Sequence, residues 1–249
     1  MTFHSNDLGL LTLGGFYKTI TDFTYATQYR IYSNPRLALP GFDSVGTFRL
    51  PNGVQPNDGA LVNTFINSPY KAYVKGVEAD FQTRLWYLPT PFDGIVLGLN
   101  YTHIWSSTTY PLTFFTRTVV DSIIGRRTFS HQAVIDSSRS GRLLYQPNDI
   151  ANVYVGYDYE GFSARVSFVF QGNSVTNIGS IPENDGFSKD YFRIDASARQ
   201  KLPWFGLELY LDVNNLNGET NISTQKTIGG YTSQQYYGLT ANLGIRAIL

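Results

Sequence analysis

The last stretch of the chain, Tyr236 to Leu249, alternates between two chemical faces to its final residue. Tyr237, Leu239, Ala241, Leu243, Ile245, Ala247 and Leu249 share one face; Tyr236, Gly238, Thr240, Asn242, Gly244, Arg246 and Ile248 share the other. Side chains of a strand point to opposite sides with period two, so one face is apolar and the other, Ile248 apart, small or polar. The alternation runs 14 residues. That exceeds the ~9 to 11 residues a tilted strand needs to cross a bilayer and the ~5 to 6 of an ordinary soluble strand.

Composition agrees with a β protein that keeps much of its surface out of water. Charged residues are 15% of the 249 and aromatics another 15%, with 18 Tyr and 17 Phe. Soluble domains carry ~25% charge, and aromatic residues collect at bilayer interfaces. The 19 basic residues balance the 19 acidic ones, so no field points to nucleic acid. No run of about 18 apolar residues exists, which excludes a helical membrane protein. The absence of cysteine removes disulfides, thiolate zinc sites and cysteine nucleophiles together. Met1 to Gly15 lacks the cationic start and the continuous apolar run of a signal peptide.

Seven further segments read as long strands. Leu8 to Tyr29 is the first. Tyr70 to Leu88 sets Tyr73, Val77, Ala79 and Phe81 opposite Gly76, Glu78, Asp80, Gln82 and Arg84. Ile95 to about Trp105 ends in a Tyr101, His103, Trp105 row suited to a membrane interface. Ile150–Tyr159, Phe162–Gln171, Tyr191–Leu202 and the segment from Leu207 follow, with Phe162, Ala164, Val166, Phe168 and Phe170 outward in the second of these. Their connections alternate in length: short at 89–94, 160–161 and 203–206, long at 30–69, 106–148, 172–190 and 215–235. Outer-membrane barrels sort their turns in this way, short ones periplasmic and long ones external. The expectation is an all-β chain of about eight antiparallel transmembrane barrel strands with long extracellular loops.

No motif makes a case for an enzyme. Ser68-Pro-Tyr-Lys71 matches S-x-x-K, but the S-D-N and K-T-G partners of that chemistry are missing. His4, His103 and His131 are too scattered for a metal site, and Ser130, His131 and Asp136 lack the spacing of an oriented triad. No cofactor or metal is expected. The informative polar residues are those of the inward parity: Glu78, Asp80, Arg84, Arg165, Arg193, Asp195, Arg199, Glu208, Asp212 and Arg246. They form either a ladder of cross-strand pairs or a polar wall against which a plug packs or a solute moves. Tyr32, Phe42, Phe48, Tyr110, Phe114, Phe115 and Phe129 in the loops at 30–69 and 108–148 are the candidates for ligand contact, since loops on a rigid scaffold carry binding residues.

Several stretches resemble one family. Leu13 to Phe23 (LGGFYKTITDF), Val74 to Asp80 (VKGVEAD), Tyr157 to Ser167 (YDYEGFSARVS), Tyr191 to Ala198 (YFRIDASA) and Leu211 to Leu216 (LDVNNL) are similar, in order, to strands of TonB-dependent outer-membrane receptors. The resemblance implies that residues 1–249 are the C-terminal third of a barrel of about 22 strands. The plug domain, the energy-coupling segment and the remaining strands would lie elsewhere in the parent chain. The implied partners are outer-membrane lipid, the plug and remaining barrel strands, the TonB complex acting through the missing N-terminal part, and a small-molecule or glycan ligand. The implied location is a Gram-negative outer membrane, and the implied activity is coupled uptake of a scarce solute such as a siderophore, a cobalamin-like compound or a glycan. One departure is the terminal Leu249, where the family closes on Phe or Trp. Eight strands also allow a second reading, a self-contained small barrel with a structural or adhesion role.

Overall fold

The computed structural model describes residues 1–31, 60–124, 127–179 and 181–247, with the side chains at 25–64, 66 and 111–137 left out of the description. In chain order its strands are β1 (Thr2–Ser5), β2 (Gly9–Ile20), β3 (Thr24–Ile31), β4 (Ala60–Asn67), β5 (Ala72–Arg84), β6 (Ile95–Ile124), β7 (Arg127–Gly141), β8 (Asp149–Tyr159), β9 (Phe162–Gln171), β10 (Val175–Asn177), β11 (Gly186–Ser188), β12 (Tyr191–Lys201), β13 (Leu207–Asn214), β14 (Thr220–Gln225), β15 (Gly230–Tyr236) and β16 (Thr240–Ala247). They fall into two units, one of Met1–Lys18, Val74–Ser106 and Leu144–Leu249, the other of Thr19–Tyr73 and Ser107–Leu143. No helix among the described residues is long and apolar enough to cross a membrane.

The first unit is a meander in the order β1-β2-β5-β6-β8-β9-β12-β13-β16. Its ladders from β6 to β16 are antiparallel and in continuous register. The eight expected strands appear in the expected order, and β1 folds back on β2 as a further one. Among the described residues no pairing joins β16 to β1.

Two of the short turns each place a pair of residues at positive φ, the second of them a glycine. Glu160 (φ 44°) and Gly161 (φ 82°) close the β8–β9 hairpin, and Phe205 (φ 53°) with Gly206 (φ 59°) closes β12–β13. Two such residues in a row match the right-handed twist of the flanking strands.

Register also fixes the faces. Ile95, Tyr157, Ala164, Ala198, Leu211 and Leu243 are consecutive cross-strand partners, as are Leu97, Val155, Val166, Ala196, Val213 and Ala241. On the reverse face run Gly156, Arg165, Ser197, Asp212 and Asn242. A water-soluble sheet would hide the first set. Here Leu243 is 71% exposed, and Val155, Val166, Leu209, Leu211 and Ile245 are exposed as well. Among the described residues the buried apolar side chains are Ala72, Val74, Ile104, Tyr110 and Val175. A soluble protein rarely leaves so continuous an apolar face uncovered. The strands also have the length of a bilayer crossing: β8, β9 and β12 have 11, 10 and 11 residues. At their short-turn ends stand the exposed rings of Trp86, Tyr87, Phe162, Trp204 and Phe205. At the opposite ends stand Tyr101, Trp105 and Phe192.

Sequence and structure differ where breaks are hidden or strands are short. The first strand does not run from Leu8 to Tyr29: it stops at Ile20, and Asp22 (φ 55°) separates β2 from β3. The terminal strand begins at Thr240 because Gly238 (φ 70°) interrupts the alternation after β15. β6 does not end near Trp105 but continues to Ile124, where its distal half pairs with β7 in the second unit. In that unit β3 also pairs with β4. The segments expected as loops, 172–190 and 215–235, contain β10, β11, β14 and all but the last residue of β15, which form one four-stranded sheet.

Candidate functional site: the polar face of the sheet

Each candidate on the inward parity of β9, β12, β13 and β16 lies on the single face defined by the register. Arg165, Arg193, Asp195, Arg199, Glu208, Asp212 and Arg246 are therefore brought together on one wall. On β5, Glu78 lies beside Gly14 of β2, where a Cβ would stand 3.7 Å from Glu78 Oε2. Asp80 Oδ1 accepts a hydrogen bond from Gln82 Nε2 at 3.2 Å. Arg84 Nε donates to the Asp93 carbonyl at 3.3 Å.

Among the described residues three ion pairs organise the charges of this face. Arg165 holds Asp158 bidentately, Nη1 to Oδ1 at 2.9 Å and Nη2 to Oδ2 at 2.7 Å. Arg193 donates to Asp195 Oδ2 from Nε at 3.0 Å, with Nη2 at 2.9 Å. Arg246 Nη2 lies 2.6 Å from Glu208 Oε1, a charge contact outside hydrogen-bond angles; the Glu208 side chain is 7% exposed. Arg199 and Asp212 have no ion-pair partner among the described residues.

The wall needs small residues under its large ones. A Cβ on Gly156 would come within 2.4 Å of Arg165 Cδ, and one on Gly244 within 2.5 Å of the Tyr210 hydroxyl. Glycine at these positions lets a long polar side chain lie flat across the neighbouring strand.

At the short-turn end the wall hollows into an open cleft of about 470 Å³ whose lining includes Arg84, Asp158, Ser163, Arg199, Lys201 and Glu208. The lining contains both cations and carboxylates, so it suits a polar partner carrying both charges. Among the described residues no three His, Asp or Glu side chains converge on a metal position.

Asp158, Lys201 and Asn215 join the polar residues expected from the alternation. Asp158 has the same parity as Gly156 and Tyr154, so the alternation of β8 contains it. Asn215 is buried (7% exposed) with φ 59° and ties the start of one long loop to its end. Its Nδ2 donates to the carbonyls of Glu219 and Gly238 at 3.1 and 3.0 Å, its Oδ1 accepts from Glu219 N at 2.7 Å, and its own N–H donates to Asp195 Oδ1 at 2.9 Å. The Asn-Asn-Leu stretch was the available signal.

The loop candidates are treated unevenly by the structure. Tyr32, Phe42 and Phe48 lie outside the described residues, and the side chains of Phe114, Phe115 and Phe129 are outside the description. Tyr110 is corrected: it is 2% exposed, donates its hydroxyl to the Arg142 carbonyl at 2.9 Å and packs edge-on to Phe23. A ring so enclosed is packing, not ligand surface.

A family model described as TonB dependent receptor-like, beta-barrel matches residues 2–216. No curated protein and no solved structure shows significant similarity to the chain.

Proposed function

Because the chain belongs to the TonB-dependent receptor-like β-barrel family, a family of outer-membrane transport proteins rather than enzymes, we propose that it is the C-terminal part of a receptor importing a scarce solute by TonB-coupled transport. The observation that carries this reading is the inversion of the sheet: its apolar face is exposed and its polar face holds the ion pairs and the cleft. Lipid covers the first face. The second lines a lumen, where Glu78, Asp80, Arg84, Arg165, Arg193, Asp195, Arg199, Glu208, Asp212 and Arg246 form the wall that a plug and a passing solute meet. An open sheet in hydrocarbon leaves backbone groups unsatisfied at several kcal/mol each, so the remaining strands of the parent complete the barrel. The loops at 30–69 and 108–148 carry the ligand contacts.

The test is uptake of labelled iron-siderophore, cobalamin-like and glycan panels by cells with and without the intact gene. Uptake of one class that stops when the inner-membrane proton gradient is dissipated supports the reading. Passage that survives dissipation contradicts energy coupling. Deleting residues 30–69 or 108–148 from the receptor abolishes uptake if that loop holds the ligand, and unchanged uptake removes the loop from the site.

A further inference from the structure

The four short strands of the loop sheet repeat the order of the four long strands they adjoin. β9 is followed after three residues by β10, β11 leads after two into β12, β13 is followed after five by β14, and β15 leads after three into β16. The long strands run in the order β9-β12-β13-β16 and the short ones in the order β10-β11-β14-β15. Neighbours in one sheet are therefore neighbours in the other. Val175 pairs with Phe187, Phe187 with Thr224, and Thr224 with Tyr231. Backbone bonds cross the breaks as well: Ser188 N–H donates to the Ser174 carbonyl at 2.9 Å, and Lys189 N–H to the Ile222 carbonyl at 2.8 Å. Each of the three strand pairs from β9 to β16 thus continues beyond its break.

The two sheets end on the same side. β15 and β16 are consecutive, and each is paired on one side only among the described residues. The other edge of the loop sheet is short: β10 has three residues, and its Val175 carbonyl accepts the Tyr145 N–H at 2.8 Å. β15 offers seven residues, Gly230–Tyr236, exposed from Tyr231 onward. Alternate residues of an antiparallel strand turn their N–H and C=O groups away from the paired neighbour. Proteins guard a free edge of this kind with charge, proline or a bulge. The sequence GYTSQQY has neither charge nor proline, and the bulge at Thr232 leaves 233–236 in regular register with β14.

We infer that β15 pairs with the continuation, beyond the membrane, of the parent strand that closes the barrel on β16. Leu207, just after a short turn, pairs with Ala247, so β16 runs toward the short-turn end. A strand antiparallel to β16 runs the other way and leaves the membrane beside β15. It meets β15 antiparallel, as β14 does, and takes up the outward backbone groups of 233–236. The wall of the lumen then continues past the membrane across the closing seam. This inference rests on the barrel reading proposed above.

The test uses the full-length receptor in cells, with the photo-crosslinking residue benzoylphenylalanine in place of Leu243 on β16 or of Gln234 or Gln235 on the two faces of β15. Irradiated envelopes are digested and the joined peptides sequenced by mass spectrometry. The probe at 243 is expected to mark β13 and one further strand of the receptor, the closing strand. The probes at 234 and 235 are expected to mark β14 and the residues that follow the closing strand, within about ten of its end, the length of 230–239. Failure of the 243 probe to find a second strand would defeat the barrel-fragment reading itself. A closing strand found at 243, with the β15 probes joined instead to residues 30–69, to a second copy, to another envelope protein or to β14 alone, would overturn the inference and leave that reading standing. Residue-resolved hydrogen exchange on the unsubstituted receptor gives an answer that does not depend on the probes folding. The amides of 233–236 are expected to share one level of protection to within about tenfold. A wider split between alternate amides is the mark of a free edge and would overturn the inference.

Discussion

Along β13, Leu209 and Leu211 face one way and Glu208, Tyr210 and Asp212 the other, and the two faces obey opposite rules. The apolar side chains are exposed, while Glu208 is buried against Arg246. The difference is the one expected of a sheet sorted by two solvents rather than by an inside and an outside. One face needs a medium without hydrogen bonds; the other needs water or protein to complete its polar groups.

The sharpest break of that contrast is a charge on the apolar face. Leu211 and Leu243 are register partners in the middle of β13 and β16. Leu243→Arg or Leu211→Arg in the receptor should cost about 2 to 4 kcal/mol if lipid lies there, measured by denaturant unfolding in phospholipid vesicles. A cost below that of a polar-face substitution would reverse the facing.

On the polar side the largest effect is expected at Asn215. Asn215→Ala removes three side-chain hydrogen bonds and places alanine at φ 59°, for a loss of roughly 1 to 3 kcal/mol. Faster proteolysis within 215–239 should accompany it, because the loop is no longer tied at its base. Asn215→Gly, which keeps the backbone conformation available, should lose less. Equal losses would assign the whole effect to hydrogen bonding.

Smaller still is Arg246→Gln. Arg246 is half exposed, so screening limits the pair to about 1 kcal/mol even with Glu208 buried. Thr240→Ser, on the same face, should fall within about 0.5 kcal/mol. These two values below that of Leu243→Arg sharpen the contrast, since all three changes lie on one strand.

The faces and strand order were legible because they depend on period two. In β9 and β12 every outward residue follows from alternation alone. The breaks were less legible. Asp22 and Gly238 interrupt strands through positive φ, which a period does not report, and the apolar pattern continues across both. The loop sheet was missed for a different reason. Gly186 pairs with Gln225, and Phe187 with Thr224, across a wide sequence separation, so no local pattern marks β11 as a strand. The polar wall was read by parity but incompletely. Asp158 follows Gly156 on the same parity but stands between Tyr157 and Tyr159, where it reads as part of an aromatic run. Tyr110 failed as a loop candidate because an aromatic in a polar stretch reads alike whether it packs or projects.

The most direct test is an accessibility scan of β9. These 249 residues contain no cysteine, so once any cysteine in the rest of the receptor has been replaced, single cysteines at positions 162 to 171 can each carry a nitroxide without background. Collision with lipid-soluble oxygen and with a water-soluble nickel chelate is then measured in vesicles. The expected result is alternation: oxygen dominates at Phe162, Ala164, Val166, Phe168 and Phe170, and the chelate at Ser163, Arg165, Ser167 and Gln171. Uniform chelate access along both parities, or the opposite alternation, would contradict the assignment of one face to lipid and the other to a lumen.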